Sequence, residues 1–519
     1  MTTGPSPFFS ISLLTMPKMT LRAADGRQYT INSDVEEKSG RMKDVWFCDD
    51  KANVAAFFKK PLTSRDLVRL KKITGVYRDS ILRGNESYYG GVFGLPFTTG
   101  EARHPRLGVD TQFVILPLYP PEFFFKMGAK PGGPKQIKGS DKKGRWFASA
   151  KLRRKFLHPD ELGTWENHLL CCLEMCRAIA KMHQAGVAHS DLSYNNVLID
   201  PVSGTACVID CDMLVVEGMF PADVVGTPDF IAPEVYKTQH IPMGNPGRVL
   251  PSQRTDLHAL AVLIYQYLLY RHPLRGRLAG TLNPGDAGND EARLMGADAL
   301  FVEHPTDTRN RINAKSQDNA EYMPYCDTDM IPMSVCGEPL MKLFLRAFVD
   351  GLHDPNKRPS ATDWIRGIEQ TLAMVVPCNN KQCQQKTFAY FGKYQCPFCG
   401  TTSYSYPQGT FYSPSGMGDA RTYTPDGASI TVVHNRTLGN WHESKIGYEN
   451  MSAKEADRPI KGRFIRTQTG WAFENIGFET MIERGAKKPI AVGEKVEVVN
   501  NMQLQLNTDG RILLIRIPS

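Results

Sequence analysis

Apolar and polar positions change period several times along this chain, and each change marks an element. Between Leu21 and Lys60 short apolar runs alternate with polar turns. Leu21-Arg22-Ala23, Gln28-Tyr29-Thr30-Ile31, Asp44-Val45-Trp46-Phe47-Cys48 and Asn53-Val54-Ala55-Ala56-Phe57-Phe58 read as strands, with Asp49-Asp50-Lys51 turning between the last two. From Ser64, read as a cap, Leu67, Leu70 and Ile73 recur at helical spacing and predict a helix to Leu82. Phe113 to Leu118 reads as a buried strand. Trp165 to Gln184 is a long amphipathic helix stopped by Gly186, and Ala259 to Tyr270 is apolar on nearly every side, as a buried helix must be. Arg275 to Pro332 is polar and turn-rich and reads as an inserted loop with short helices; Leu340 to Gly351 and Ala361 to Val375 return to helical spacing. Residues 402 to 425, rich in Ser, Tyr, Pro and Gly, read as a linker. A two-residue period then returns in Ser429 to His434, Gly462 to Arg466, Val496 to Val499, Met502 to Leu506 and Arg511 to Ile517, with Asp509-Gly510 a hairpin turn. That pattern predicts a small β sandwich or barrel. Strands, then helices, then strands again make the chain α+β.

With 519 residues the chain is too long for one core, and about two to four domains are expected. A hydrophobic content of 41% and a charged content of 22% are those of an ordinary water-soluble protein. The net charge of +8 is modest at this length. Part of it lies in Lys135, Lys138, Lys142, Lys143, Arg145, Lys151, Arg153 and Arg154, a solvated loop face or a rim favouring acidic partners and phosphate groups. No nucleic-acid-binding motif accompanies it, so no nucleic-acid partner is expected. No run of eighteen apolar residues exists, and Phe8 to Met16 lacks the basic flank of a signal peptide. Residues 1 to 18 read as a disordered leader, and a cytoplasmic, membrane-free protein is expected.

Cys171, Cys172 and Cys176 fall on the predicted long helix, and Cys207 and Cys211 flank a strand, as reduced buried thiols would. Four others are arranged differently. Cys378-x4-Cys383 and Cys396-Pro397-Phe398-Cys399-Gly400 form two knuckles separated by twelve residues. Four thiolates at this spacing suit tetrahedral zinc, and closing all four positions makes the site structural rather than catalytic.

Three segments carry candidate chemistry. His189-Ser190-Asp191-Leu192-Ser193-Tyr194-Asn195-Asn196 leads into the apolar strand Val197-Leu198-Ile199; Val208-Ile209-Asp210-Cys211-Asp212 is a second strand ending in Asp; and Gly226-Thr227-Pro228-Asp229-Phe230-Ile231-Ala232-Pro233-Glu234 follows. Phosphoryl transfer needs a carboxylate to orient the attacking hydroxyl and oxygen ligands to hold metal on the phosphates. Asp191 suits the first role, and Asn196 and Asp210 the second.

In these motifs the chain resembles eukaryotic-like protein kinases, over residues 34 to 372, strongly from Trp165 and weakly before Phe113. The resemblance implies a bilobal fold with ATP between a β-rich N-lobe (19–118) and a helical C-lobe (119–376), followed by a zinc ribbon (377–401), the linker (402–425) and the β-rich domain (426–519). It implies Asp191 as catalytic base and Asn196 and Asp210 as ligands of Mg or Mn. Glu234 is expected to pair with Arg358, and Asp256 to brace the catalytic loop. Gly40, Lys43, Lys59, Leu116 and Leu118 are the candidate nucleotide contacts.

Departures from the family pattern are specific. Ser190 stands where the family has the Arg that receives a phosphorylated activation segment, and no Ser, Thr or Tyr occurs between Cys211 and Gly226. Activation by loop phosphorylation is therefore not expected. Ser193 replaces the usual Lys. Asp212 stands where the family has Gly, as a third metal carboxylate or as a solvated residue. The Ser39-Gly40-Arg41-Met42-Lys43 turn has one glycine. The strand that should carry the ATP lysine holds Ala56 or Phe57 at that position, which leaves Lys59 or Lys43, and the helix from Ser64 has no partner Glu, only Asp66 and Asp79.

The order of kinase-like core, ribbon and β-rich tail resembles kinases encoded with bacterial tellurium-resistance and stress operons. That likeness implies a von Willebrand A-type domain protein and a metal-dependent protein phosphatase as partners. The tail is loosely similar to a forkhead-associated sandwich but lacks the Arg and Ser-x-x-His set that reads phosphothreonine. The expected function is an ATP-dependent Ser/Thr protein kinase acting on protein substrates. The alternatives are a pseudokinase scaffold that binds nucleotide or a partner without transfer, and a transferase that adds nucleotide or acts on a small molecule.

Overall fold

The computed structural model describes residues 18–34, 38–40, 42–128, 137–222, 226–281, 291–312, 331–392, 395–444 and 459–518. The expected leader up to residue 17, Arg41, and much of the 275–332 insertion lie outside them. Among the described residues no helix is long and apolar enough to cross a membrane. The chain folds as two compact units.

The first unit comprises the residues up to Ser80 with Gly94–Tyr119 and Asp210–Met213. Its centre is a five-stranded antiparallel sheet in the order Lys38–Ser39, Lys43–Phe47, Asn53–Phe58, Asp110–Pro117, Thr98–Arg103. Strand alternation sorts the side chains onto two faces. Trp46, Ala55, Phe57, Phe113 and Ile115 point to one face and are covered by Leu21, Tyr29 and Ile31 of the hairpin Lys18–Arg22/Gln28–Asn32. Val45, Ala56, Phe58, Val114 and Leu116 point to the other, where Leu70 of the helix Ser64–Lys72 and Met213 pack against them. The helix is capped by Thr63, whose hydroxyl accepts from Asp66 N, and not by Ser64 as its sequence suggests. The continuous helix expected to Leu82 is interrupted: Ile73–Tyr77 widens into a π turn around Gly75, whose φ of −114° and ψ of −107° are not helical. Thr98–Arg103 went unread as a strand because Thr-Thr-Gly-Glu-Ala-Arg shows little apolar alternation. Gly100 is required there, since a Cβ would lie 2.3 Å from the Phe113 ring.

The second unit holds the remaining described residues. Trp165–Gln184, capped by Thr164, packs against Gln253–Leu269 and Ala361–Leu372, each opened by a capping box, Ser252/Thr255 and Ser360/Asp363. Gln253–Leu269 is buried along almost its whole length, as its all-round apolar pattern requires.

The cysteine segment forms the short hairpin Val375–Pro377/Thr387–Ala389 and shares one core with the C-terminal strands. Those strands make a six-stranded and a four-stranded antiparallel sheet. The stretch 402–425, expected as a linker, instead supplies Gln408–Ser415, a strand between Thr422–Thr431 and Ile512–Arg516. Its glycine and proline content misleads because Gly409 is there for packing: a Cβ would lie 2.6 Å from Leu513 and 2.8 Å from Ile430.

Candidate active site

The turn that carries Asp191 is set by the two long helices beside it. Trp165–Gln184 ends at Ala185, and Gly186 turns the chain with a φ of +79°. Ala188 then exchanges backbone hydrogen bonds with Val215 at 2.8 and 2.9 Å. Asp256, in the first turn of Gln253–Leu269 and 1% exposed, accepts from His189 N at 2.7 Å and from Ser190 N at 3.0 Å. These bonds hold Ser190 in the left-handed region, φ +70°, which no glycine there makes easy. His189 Nε2 lies 2.8 Å from the Ile209 carbonyl, tying the turn to the strand before Asp210.

This frame brings Asp191, Asn196 and Thr227 together. Asn196 Nδ2 donates to the Asp191 carbonyl at 2.8 Å and to its Oδ2 at 3.1 Å. Thr227 Oγ1 donates to Asp191 Oδ1 at 2.7 Å. Both carboxylate oxygens are therefore oriented, by one donor each. Asn196 is fixed in turn, its carbonyl accepting from Ile209 N at 2.9 Å. Ser193 is fully buried, so it cannot replace the missing lysine. Glu234 accepts two parallel bonds of 2.7 Å from Arg358, which also donates to the Gly351 and Arg254 carbonyls.

In the first unit the two candidate lysines part company. Lys59 lies 3.1 Å from Asp44, a fully buried carboxylate that also faces Arg106 and His104. Lys59, a candidate nucleotide contact, is thus the counter-ion of a buried carboxylate. Alternation explains it, because Lys59 follows Phe57 on the hairpin face of the sheet, the face of Asp44.

Lys43 lies on the opposite face. Its Nζ is 2.7 Å from Asp210 Oδ1 and 2.5 Å from Asp212 Oδ2. Burial opposes the ammonium charge, but the two carboxylates outweigh it and raise the Lys43 pKa. Burial lifts the Asp212 carboxyl, with Lys43 pulling the other way. Asp212 is 2% exposed, which overturns its reading as a solvated residue. Beside Lys43, the partly open Val45 and Val54 form an apolar shelf with Ala56, Leu116 and Met213. Leu118 N bonds the Ala52 carbonyl just beyond that strand, and Gly40 N closes the tight turn before Lys43 on the Lys43 carbonyl. Asp191 and Asn196 belong to one unit and Asp210 with Lys43 to the other.

Cys378, Cys383, Cys396 and Cys399 converge, their sulfurs all within 4.8 Å of one another. Cys378 to Cys399 is 3.5 Å and Cys383 to Cys396 3.9 Å. Metal–sulfur bonds of about 2.3 Å in a tetrahedron put sulfurs about 3.8 Å apart, so this all-thiol set fits one soft ion.

Residues 153–366 match the family model described as the protein kinase domain. That match covers about two fifths of the chain. Among curated relatives it is 31% identical over 124 residues to serine/threonine-protein kinase PknD of Chlamydia felis, covering 20% of this chain and 12% of that protein. It is 35% identical over 107 residues to protein kinase C-like 2 of Schizosaccharomyces pombe (20% and 9%), and 36% identical over 104 residues to human serine/threonine-protein kinase MRCK gamma (19% and 6%). The chain thus spans about an eighth or less of the length of these relatives. A solved structure described as a Toxoplasma gondii specific rhoptry antigen kinase domain aligns with a TM-score of 0.35 at 16% identity, over 61% of this chain and 88% of that one, too loosely to carry an argument.

Proposed function

We propose that this kinase domain transfers the γ-phosphoryl group of ATP to Ser or Thr hydroxyls of protein substrates. The observation that carries the reading is the double anchoring of Asp191 by Asn196 Nδ2 and Thr227 Oγ1. A carboxylate so oriented accepts the proton of an acceptor hydroxyl as its oxygen bonds to the γ-phosphorus and the bond from phosphorus to the ADP oxygen breaks. Asn196 and Asp210 are the residues that would hold Mg or Mn. The ion, when bound, neutralises charge on the phosphates. Lys43 supplies the cation that the family keeps on the next strand, and the Val45–Ala56–Leu116 shelf receives the adenine. The Ser/Thr preference is supported by the names of the relatives and by Thr227 beside Asp191.

Independence from loop phosphorylation is supported by the packing of the segment. Leu214, Val215, Phe220 and Ala222 are buried and Val215 is bonded to Ala188, so its order requires no phosphate. The four cysteines would hold zinc as a structural ion. The order of kinase domain, cysteine hairpin and strands supports the bacterial stress-operon type, with a cytoplasmic setting and the von Willebrand A-type and phosphatase partners. Incubation with γ-labelled ATP and a generic protein acceptor tests the reading. Label on Ser or Thr, lost in Asp191→Asn, is expected. ATP binding without transfer would favour the scaffold, and label from α-labelled ATP would favour nucleotide addition.

A further inference from the structure

Lys43 needs something to aim it. A lysine ammonium is a point charge on a flexible four-carbon stem, and a fixed carboxylate beside it narrows where that charge is held. The helix Ser64–Lys72 and its continuation offer only Asp66 and Asp79. Asp66 accepts from the Thr63 hydroxyl at 2.6 Å and faces Arg69, and Asp79 is exposed. Neither is the partner of Lys43.

Asp212 is. Its Oδ2 lies 2.5 Å from Lys43 Nζ, and its side chain is 3% exposed against 47% for that of Asp210. Two carboxylates thus share one ammonium but differ in access. Asp210 is open to take an ion, whereas Asp212 is shut in. A buried carboxylate must keep its cation, because left unpaired it is strongly destabilising. An ammonium has three donors, so with two on these aspartates the third remains for phosphate.

We infer that Asp212 is a positioning residue that holds Lys43 on the nucleotide phosphates, in place of a carboxylate on the helix. The inference rests on the proposed use of ATP. It separates the two open readings of Asp212, since a third metal ligand would act on the ion and a positioning residue acts through Lys43. It also places the lysine, its carboxylate and Asp210 within one unit, so the lysine is aimed whatever the position of the helix. An Asp66→Asn, Asp79→Asn double variant is then expected to keep the wild-type KM for ATP.

The test is a double-mutant cycle on the full chain with Lys43→Met, Asp212→Asn and the pair. Affinity for MgATP is read by calorimetry and, separately, KM and kcat by phosphate transfer. Asp212→Asn is expected to weaken MgATP about tenfold, the scale of one charge-assisted contact. The double variant is expected to be no worse than Lys43→Met alone, because residues acting through one contact are not additive. Asp212→Glu, which returns a carboxylate, is expected to recover part of the loss. Melting curves confirm that each variant folds; should Asp212→Asn fail to fold, Asp212→Glu and Lys43→Met carry the comparison through the KM for ATP. Additive losses, an unchanged affinity in Asp212→Asn, or a shift in Mg dependence without a shift in ATP affinity would overturn the inference. Binding that follows the cycle without any transfer would support it while removing the kinase reading. A wild type that binds no ATP would overturn both.

Discussion

Lys43 and Lys59 carry the same charge on neighbouring edges of one strand pair, yet they meet different partners because they lie on opposite faces. Lys59 pairs with a buried carboxylate that also contacts the buried His104 and the exposed Arg106. Lys59→Ala is therefore expected to lower stability by roughly 1–3 kcal/mol, the scale of a lost hydrogen bond to a buried charge, while the KM for ATP changes less than about twofold. Lys43→Ala is expected to lose transfer heavily and, because it strips the buried Asp212 of its cation, to lose stability as well. Chemical denaturation and ATP kinetics on the two variants check this, and an ATP defect in Lys59→Ala would restore Lys59 as the phosphate contact. At Thr227 the claim is a hydrogen bond rather than a modification. Thr227→Ala is expected to lose about ten- to hundredfold in rate and Thr227→Ser to keep most of it, with intact mass showing no phosphate on active enzyme. Asp191, Asn196 and Asp210 were legible from sequence as candidates, standing in order on recognisable turns. What the alternation alone left open was which lysine faces the Asp210 and Asp212 carboxylates, because Asp44 lies on a strand but Asp212 in a turn that alternation does not place.

Among the elements, the helices are read most fully and the breaks in them least. Trp165–Gln184 has the bounds its periodicity predicts. The π turn at Ile73–Tyr77 was hidden because Gly75 inside a helical pattern is tolerated as often as it breaks one. Gln408–Ser415 was hidden for the opposite reason, its glycine and proline resembling linker composition while Gly409 and Phe411 are buried. The element that holds the site is Gln253–Leu269, through Asp256, and its start is fastened by Arg358, which bonds both Glu234 and the Arg254 carbonyl. Glu234→Ala leaves Arg358, 4% exposed, without its counter-ion. The expected loss is about 3–5 kcal/mol, measured by urea unfolding; a loss under about 1 kcal/mol, the scale of an exposed pair, would contradict the bond as a brace.

At the scale of the molecule, the cysteine hairpin is joined to the kinase domain rather than appended. The Gln385 carbonyl accepts from Trp165 N at 3.0 Å and Thr387 Oγ1 from Glu166 N at 2.9 Å, so the hairpin satisfies two of the orphan donors that open the long helix. The Gln385 side chain also accepts from the Tyr270 hydroxyl, at the far end of the helix bearing Asp256. Metal stripped by a chelator under reducing conditions is expected to lower the melting temperature by roughly 5 °C or more, with zinc restoring it; an unchanged melt after metal loss would make the ion dispensable. Acid acts on the same unit. Burial holds His168 and His258 well below the ordinary imidazole range, Arg153 and Arg358 adding to it, and pushes His272 down to about 4. The unfolded chain therefore binds more protons than the folded one below the free imidazole pKa of about 6.5. Stability is complete above that pH and falls as pH drops toward 4, by at most about 1.4 kcal/mol per unit for each histidine. Denaturation midpoints at pH 7.5, 6 and 5 follow this, and a flat profile would contradict it.

The proposed aiming of Asp191 at an acceptor hydroxyl is tested by phosphate transfer from γ-labelled ATP with Mg or Mn, comparing the wild type with Asp191→Asn, a change that keeps the shape and removes the base. Label on Ser or Thr is expected with the wild type, and a loss of about a hundredfold or more in the variant at unchanged ATP affinity and melting temperature. Equal transfer by the variant, or none by a wild type that binds ATP, would contradict it.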